Sequence, residues 1–192
     1  MGCNGRVEER LLEYARAVLD ALGWRWGPSH IEIKMCEREG EDEAVPTLVE
    51  INAGRWNGEE FQPLAKLCNG YDALEATLDA YLDAEAWEAL LANPPKQLLV
   101  HGKNVKLVSH VEGVLRAAPA QVHAETLKGL ASLLTFAPEA AEAGDRISLT
   151  VDLNTCAGYA HLAHADAGIV DRDYRALRNL QPTLFDVGGV AT

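Results

Sequence analysis

The chain has 192 residues, a length that suits one or two small domains. At 48% hydrophobic it can bury a core, and 17 Lys and Arg against 29 Asp and Glu give a net charge of −12. That balance speaks against nucleic acid or an anionic membrane as the main partner, since both need a basic face, and no stretch approaches the ~20 apolar residues of a membrane span.

From the N-terminus, Met1-Gly2 starts a myristoylation pattern that Arg6 breaks, because Ser or Thr is required there. No apolar signal core follows. Val7, Leu11, Ala15, Val18 and Leu22 recur at helical spacing, with Leu12 and Leu19 widening the stripe. Val7 to Leu22 is therefore predicted as an amphipathic helix, stopped by Gly23. Ile31, Ile33 and Met35 then alternate with His30, Glu32 and Lys34, the pattern of a strand with one buried face. Glu37 to Glu43 is an acidic, solvated turn, and Thr47 to Asn52 reads as a second strand.

If the two strands pair about a turn near Gly40 and Glu41, Glu32 falls opposite Glu50. Residues paired across a hairpin share a face, and Asn52, two beyond Glu50, joins them. Glu32, Glu50 and Asn52 are expected to converge, with His30 on the same face. Ile31, Ile33, Val49 and Ile51 are expected to face the core.

Phe61 to Asn69 reads as a helix with Pro63 in its first turn and Gly70 as its C-terminal cap. Asp72 caps a helix over Ala73 to Leu82, and Ala84 to Leu91 continues as another. Asn93-Pro94-Pro95 marks a boundary between residues 1–92 and 97–192. Beyond it, Gln97 to His101 and Val105 to Val108 read as short strands, and Thr126 to Phe136 as helix. Arg146 to Asp152 reads as a strand with Gly158 to His164 as its partner, and Asp171 to Leu180 as a terminal helix ended by Pro182.

Two facing carboxylates and a carboxamide form a hard oxygen donor set. Mg²⁺ takes one or two carboxylates and completes its octahedron with water and phosphate oxygens. Without a cation the paired acids repel each other, which a divalent ion relieves. The spacing alone leaves open a plain solvated sheet face. His161 and His164, three apart on a strand, point to opposite faces and are not read as a metal pair. Cys3, Cys36, Cys68 and Cys156 form no CxxC pair and read as free thiols of a reducing compartment, so a cytoplasmic location is expected.

Gly27-Pro28-Ser29-His30-Ile31-Glu32 followed by Glu50-Ile51-Asn52 resembles the ordered GxxHxE and ExN segments of the ATP-grasp superfamily, in the branch of L-amino acid ligases and carboxylate–amine ligases. Phe61-Gln62-Pro63-Leu64, Gly70-Tyr71-Asp72 and Thr77 to Leu82 are similar to the helices that follow there, so the resemblance covers about residues 7 to 92. Val105 to Ser109, Glu112-Gly113, Gly144 to Ile147 and Gly158 to Leu162 resemble the small C-terminal domain of those ligases. The fold class this implies is α+β: the C-terminal half of an ATP-grasp domain, an antiparallel sheet with flanking helices, followed by a small β-rich α+β domain.

The resemblance implies an ATP- and Mg²⁺-dependent ligase (Mn²⁺ being the alternative ion) that forms an acyl phosphate and then an amide with release of ADP. Glu32, Glu50 and Asn52 are its expected metal and ATP-phosphate ligands, and small carboxylates or amino acids its expected substrates. The family commonly has an Arg two residues after the Asn. Here that place is Gly54, and Arg55, one later, is the expected anion clamp if a bulge at Ala53-Gly54 re-aims it. His30 is expected to touch phosphate or substrate, and Asn57, Glu59 and Glu60 to line the substrate side. The lysine-bearing lobe and glycine-rich lid of the family have no counterpart here, so the chain reads as a fragment, expected to be inactive alone. The alternative is a non-catalytic pseudoenzyme, or a split-enzyme module completed by a partner lobe or a homo-oligomer.

Overall fold

The computed structural model describes residues 5–40, 43–54, 58, 60, 62–95 and 97–188. It is a mixed α+β chain that divides into two compact units, Met1–Leu98 and Leu99–Thr192. Among the described residues no helix is long and apolar enough to cross a membrane.

The first unit opens with α1 (Arg6–Ala21). Its end is a Schellman motif: the Gly23 N–H donates to Asp20 O and the Trp24 N–H to Leu19 O. Gly23 sits at φ +66°, the left-handed conformation this cap requires and glycine supplies without a Cβ penalty. The chain then enters β1 (Ser29–Cys36), which pairs antiparallel with β2 (Val45–Ala53) as a two-stranded sheet. The upper register runs Ser29 to Ala53, His30 to Asn52, Ile31 to Ile51 and Glu32 to Glu50. It then shifts, so that Ile33 pairs with Leu48 and Val49 is the extra residue of a β-bulge. The expectation that Val49 faces the core is thereby overturned. The bulge gives its inward place to Leu48 and leaves Val49 half exposed.

Helix α1 ties onto this bulged strand. The Leu48 N–H donates to the Tyr14 hydroxyl at 3.1 Å, and Arg10 donates to Ala44 O and to Glu43. Three helices follow: α2 (Gln62–Asn69), α3 (Ala73–Leu82) and α4 (Ala84–Ala92). The Asp72 carboxylate caps α3 by accepting from the Leu74 and Glu75 N–H groups. Those bonds, with Lys66 close by, hold Asp72 below the ordinary carboxylate range against the opposing pull of desolvation. Leu64, Cys68 and Ala76 are the buried apolar residues described in this unit.

The second unit has a three-stranded antiparallel sheet in the order β3 (His101–Lys106), β7 (Gly158–His164), β5 (Leu133–Pro138). A smaller sheet orders β6 (Arg146–Ile147), β4 (Gly113–Leu115), β8 (Val187–Gly188). Short helices α5 (Pro119–Val122) and α6 (Ala124–Lys128) lie between β4 and β5, and α7 (Ala167–Leu180) packs on β3 and β7. Leu107, Leu115, Ile147, Leu162, Leu177 and Leu184 are among the buried residues of one apolar cluster.

Several expected elements differ here. A single strand, His101–Lys106, replaces the two expected over 97–101 and 105–108. The helix expected over 126–136 ends at Lys128, and Leu133 onward becomes β5, because its residues pair with β7. The strand expected over 146–152 stops at Ile147 and pairs with β4, while β7 takes β3 and β5 as partners. The Thr155 hydroxyl accepts from the Val151 and Asp152 N–H groups, and Asp152 accepts in turn from the Thr155 N–H. These side-chain bonds take the backbone donors a ladder would need. They leave Leu149, Val151 and Leu153 exposed despite their strand-like alternation.

Buried Asp173 on α7 locks the unit. One carboxylate oxygen accepts from the Ser132 N–H at 2.8 Å and its hydroxyl at 2.9 Å; the other accepts from Arg172 at 2.8 Å. Burial pulls this carboxyl up, but the Ser132 and Arg172 bonds outweigh it and hold it below the ordinary carboxylate range. A depressed pKa contributes stability that is present above the unfolded value of about 4 and is lost as pH falls through the folded value. Asp173→Asn, which turns an amide donor toward these donors, is expected to cost about 2–4 kcal/mol at pH 7 in urea titrations. It should also flatten the loss of stability below pH ~4; an acid limb identical to that of the unaltered protein contradicts this assignment.

Candidate functional site

The conspicuous polar constellation lies on the upper half of the β1–β2 hairpin, above the bulge. Successive strand residues alternate faces, so His30 and Glu32 share one face of β1, and their partners Asn52 and Glu50 share the same face of β2. Asn52 Nδ2 donates to Glu50 Oε1, and His30 Nε2 lies 3.5 Å from Glu32 Oε1. Each acid is thus steadied by the neighbour two residues along its own strand. Glu32 and Glu50 are exposed, while His30 and Asn52 are half-buried.

The hairpin's open end is pinned by one indole. Gly54 donates its N–H to Pro28 O at 2.9 Å, and Gly27 and Gly54 hold φ +84° and φ +89°. The Trp24 ring lies 3.6 Å from where a Cβ on Gly54 would stand and 3.7 Å from that of Gly27. Its Nε1–H donates to Gly27 O. The glycine that leads the GxxHxE segment is required for its left-handed φ, and because the Tyr81 hydroxyl stands 3.0 Å from its would-be Cβ. At Gly54 the same left-handed φ turns β2 away from the hairpin. The ladder is regular from Glu50 through Ala53, its one register shift lying at Val49, and the backbone that would aim Arg55 lies outside the described residues. Sequence reading missed Trp24 as a pin; an aromatic between the helix-capping Gly23 and the strand-leading Gly27 was the available signal.

Arg55, Asn57 and Glu59 lie outside the described residues; Glu60 is half-buried between β2 and α2. In the second unit, buried His161 stacks near Tyr159 with ring centroids 4.9 Å apart. The His164 Nδ1 accepts from the Asp166 N–H, and the Cys156 Sγ lies within hydrogen-bond reach of two carbonyls, Gly158 O at 3.1 Å and Leu107 O at 3.3 Å.

Two carboxylates and a carboxamide on one exposed face suit a hard divalent cation that keeps water or phosphate oxygens in its shell. Among the described residues no three His, Cys, Asp or Glu side chains cluster to hold an ion by themselves.

No family model matches the sequence, and no curated protein matches it. The structure is similar to the L-amino acid ligase from Bacillus licheniformis, with a TM-score of 0.63 and 15% identity over 88% of this chain and 40% of that one. It is also similar to the phosphoribosylglycinamide synthetase from Anaerococcus prevotii, with a TM-score of 0.58 and 11% identity over 89% of this chain and 40% of that one. What this chain shares with both is the fold, an α+β arrangement of antiparallel sheets with flanking helices. The chain spans 40% of the length of each.

Like charges directly opposite on a hairpin destabilise it by roughly 0.2–1 kcal/mol. In a low-salt buffer free of divalent ions, Glu32→Gln is expected to raise the thermal midpoint by about 2–5 °C, a gain that salt erases. A variant that melts lower at every salt concentration shows that the two acids do not oppose each other.

Proposed function

We propose that the β1–β2 hairpin is the metal- and phosphate-holding wall of an ADP-forming carboxylate–amine ligase of the ATP-grasp type. The observation that carries this reading is the pairing of Glu32 with Glu50 and of His30 with Asn52, on a chain whose fold is shared with an L-amino acid ligase and a phosphoribosylglycinamide synthetase. In the reaction, a substrate carboxylate oxygen attacks the γ-phosphorus of ATP and the bond to the β-phosphate oxygen breaks, giving an acyl phosphate and ADP. An amine nitrogen then attacks the acyl carbon, loses a proton, and phosphate leaves as the amide forms.

Mg²⁺, when bound, supplies charge neutralisation and a template for the phosphate oxygens. Glu32 and Glu50 hold it, and Asn52, which donates its amide N–H to Glu50, offers its carbonyl oxygen as the third donor. His30, oriented by Glu32, presents its imidazole beside the same face for a phosphate or substrate oxygen. Arg55 follows the turn at Gly54 and is assigned as an anion clamp for phosphate or the substrate carboxylate. Small carboxylates and amino acids are the substrate class.

A second reading, that this wall acts only against a partner lobe, is favoured by the thin interior of the first unit. Leu64, Cys68 and Ala76 are its described buried apolar residues, while Leu74, Leu78 and Leu82 stand exposed. Phosphoryl transfer needs the nucleotide positioned and its charge stabilised from more than one side.

With Mg²⁺ and ATP together at ~100 times their dissociation constant, unfolding is expected to be opposed by about 2.7 kcal/mol. Glu50→Gln should abolish the shift measured by differential scanning fluorimetry; an equal shift in the variant sinks the metal assignment. The isolated chain is expected to show no amino-acid-dependent ADP release, with turnover appearing only when a lysine-bearing lobe is supplied in trans. Turnover by the chain alone overturns the partner-lobe reading.

A further inference from the structure

We propose that an aromatic cleft behind the start of β1 binds a small planar aromatic carboxylate. The cleft encloses about 450 Å³, within the range of ~300–1,000 Å³ typical of small-molecule sites. Trp26, Tyr71, Tyr81 and Trp87 are among its lining residues. α3 contributes Ala73, Ala76 and Ala80, small residues that share one face at helical spacing. Four aromatic side chains with small alanines beside them suit a planar ring, because ring–ring contacts add to the area they bury.

Charge sets the rest of the ligand's chemistry. Arg25 lines the rim, and no Asp or Glu is among the described lining residues. Arg25, ion-paired with Asp20 through Nη1, is the one charged residue among the described lining residues, so the cleft offers guanidinium donors to an anion and no lining carboxylate to a cation. Arg25 is held in place through Nη1, which lies 2.8 Å from Asp20 Oδ1, and its fork carries further donors on Nε and Nη2 suited to a carboxylate. Trp26 is 75% exposed and Tyr81 59% exposed, so a ring seated here removes from water aromatic surface that the fold leaves uncovered.

The cleft is separate from the acidic face. Ser29, which lines the cleft, precedes His30 on β1, so the two side chains project to opposite sides of the hairpin. Occupancy of this cleft and metal binding at Glu32 and Glu50 are thus independent, and either stands if the other fails.

The test is isothermal titration of the full chain with 2-naphthoate and with its neutral counterpart 2-naphthalenemethanol. Saturable naphthoate binding is expected, weakened about tenfold both for the neutral alcohol and in Arg25→Gln, the loss of one charge-assisted contact. Ala80→Leu fills the cleft and is expected to abolish binding. Trp26→Ala, at an exposed position, is the second variant and should weaken binding without lowering the melting temperature. Equal binding of the alcohol, retained affinity in both cleft variants, or no saturable heat overturns the proposal. So does concentration-dependent self-association abolished by Ala80→Leu, which would give the cleft to a second copy of the chain.

Discussion

The antiparallel pairing of Glu32 with Glu50 is the constraint on which the functional reading turns. Strand side chains alternate with a period of two, so a slip of one residue would send one acid to the opposite face and dissolve the donor set. Two devices hold the register. At the open end, Trp24 packs against both Gly27 and Gly54, while the Gly54 N–H is bound to Pro28. In the middle, the bulge at Val49 absorbs one residue, so that Glu50 and Asn52 stay on the polar face while Leu48 turns inward below them. Tyr14 on α1 takes the Leu48 N–H and ties the helix to the bulge.

The two units solve the problem of stability differently. The second wraps two small sheets and α7 around a continuous apolar cluster, and its buried Asp173 is satisfied by three donors from two residues. The first has few fully buried apolar residues and a sheet of two strands, an arrangement that is marginal in isolation unless something packs on it. Its exposed leucines on α3 and its open aromatic rings are the surface cost of that arrangement. The proposed phosphate-holding wall and the proposed ring-binding cleft both suit a unit whose surfaces are built to be covered.

Much of this was legible along the chain where the signal is local. The amphipathic spacing of α1, the stop at Gly23, the Asp72 cap and the hairpin alternation all arise from residues within a few positions of each other. Legibility failed where partners are distant. Leu133 to Pro138 carries a helix-compatible apolar run, yet it is a strand because β7 is available to pair with it. Ile147, Leu149 and Val151 alternate like a strand, yet Thr155 captures the backbone donors and breaks it. Val49 looked inward until the bulge moved it.

The sequence by itself determined which residues could carry the chemistry: the order of glycine, histidine and acid, the alternation that sets His30 with Glu32 and Glu50 with Asn52 on one face of each strand, and the excess of acids over bases. Those follow from spacing, which the backbone converts directly into a face. Only the tertiary structure decided that Val49 is a bulge, that β7 pairs with β3 and β5, and that Trp26, Tyr71, Tyr81 and Trp87 line one cleft. Each depends on contacts between segments far apart in the chain, where the free energy of pairing or burial overrides what any local pattern can specify.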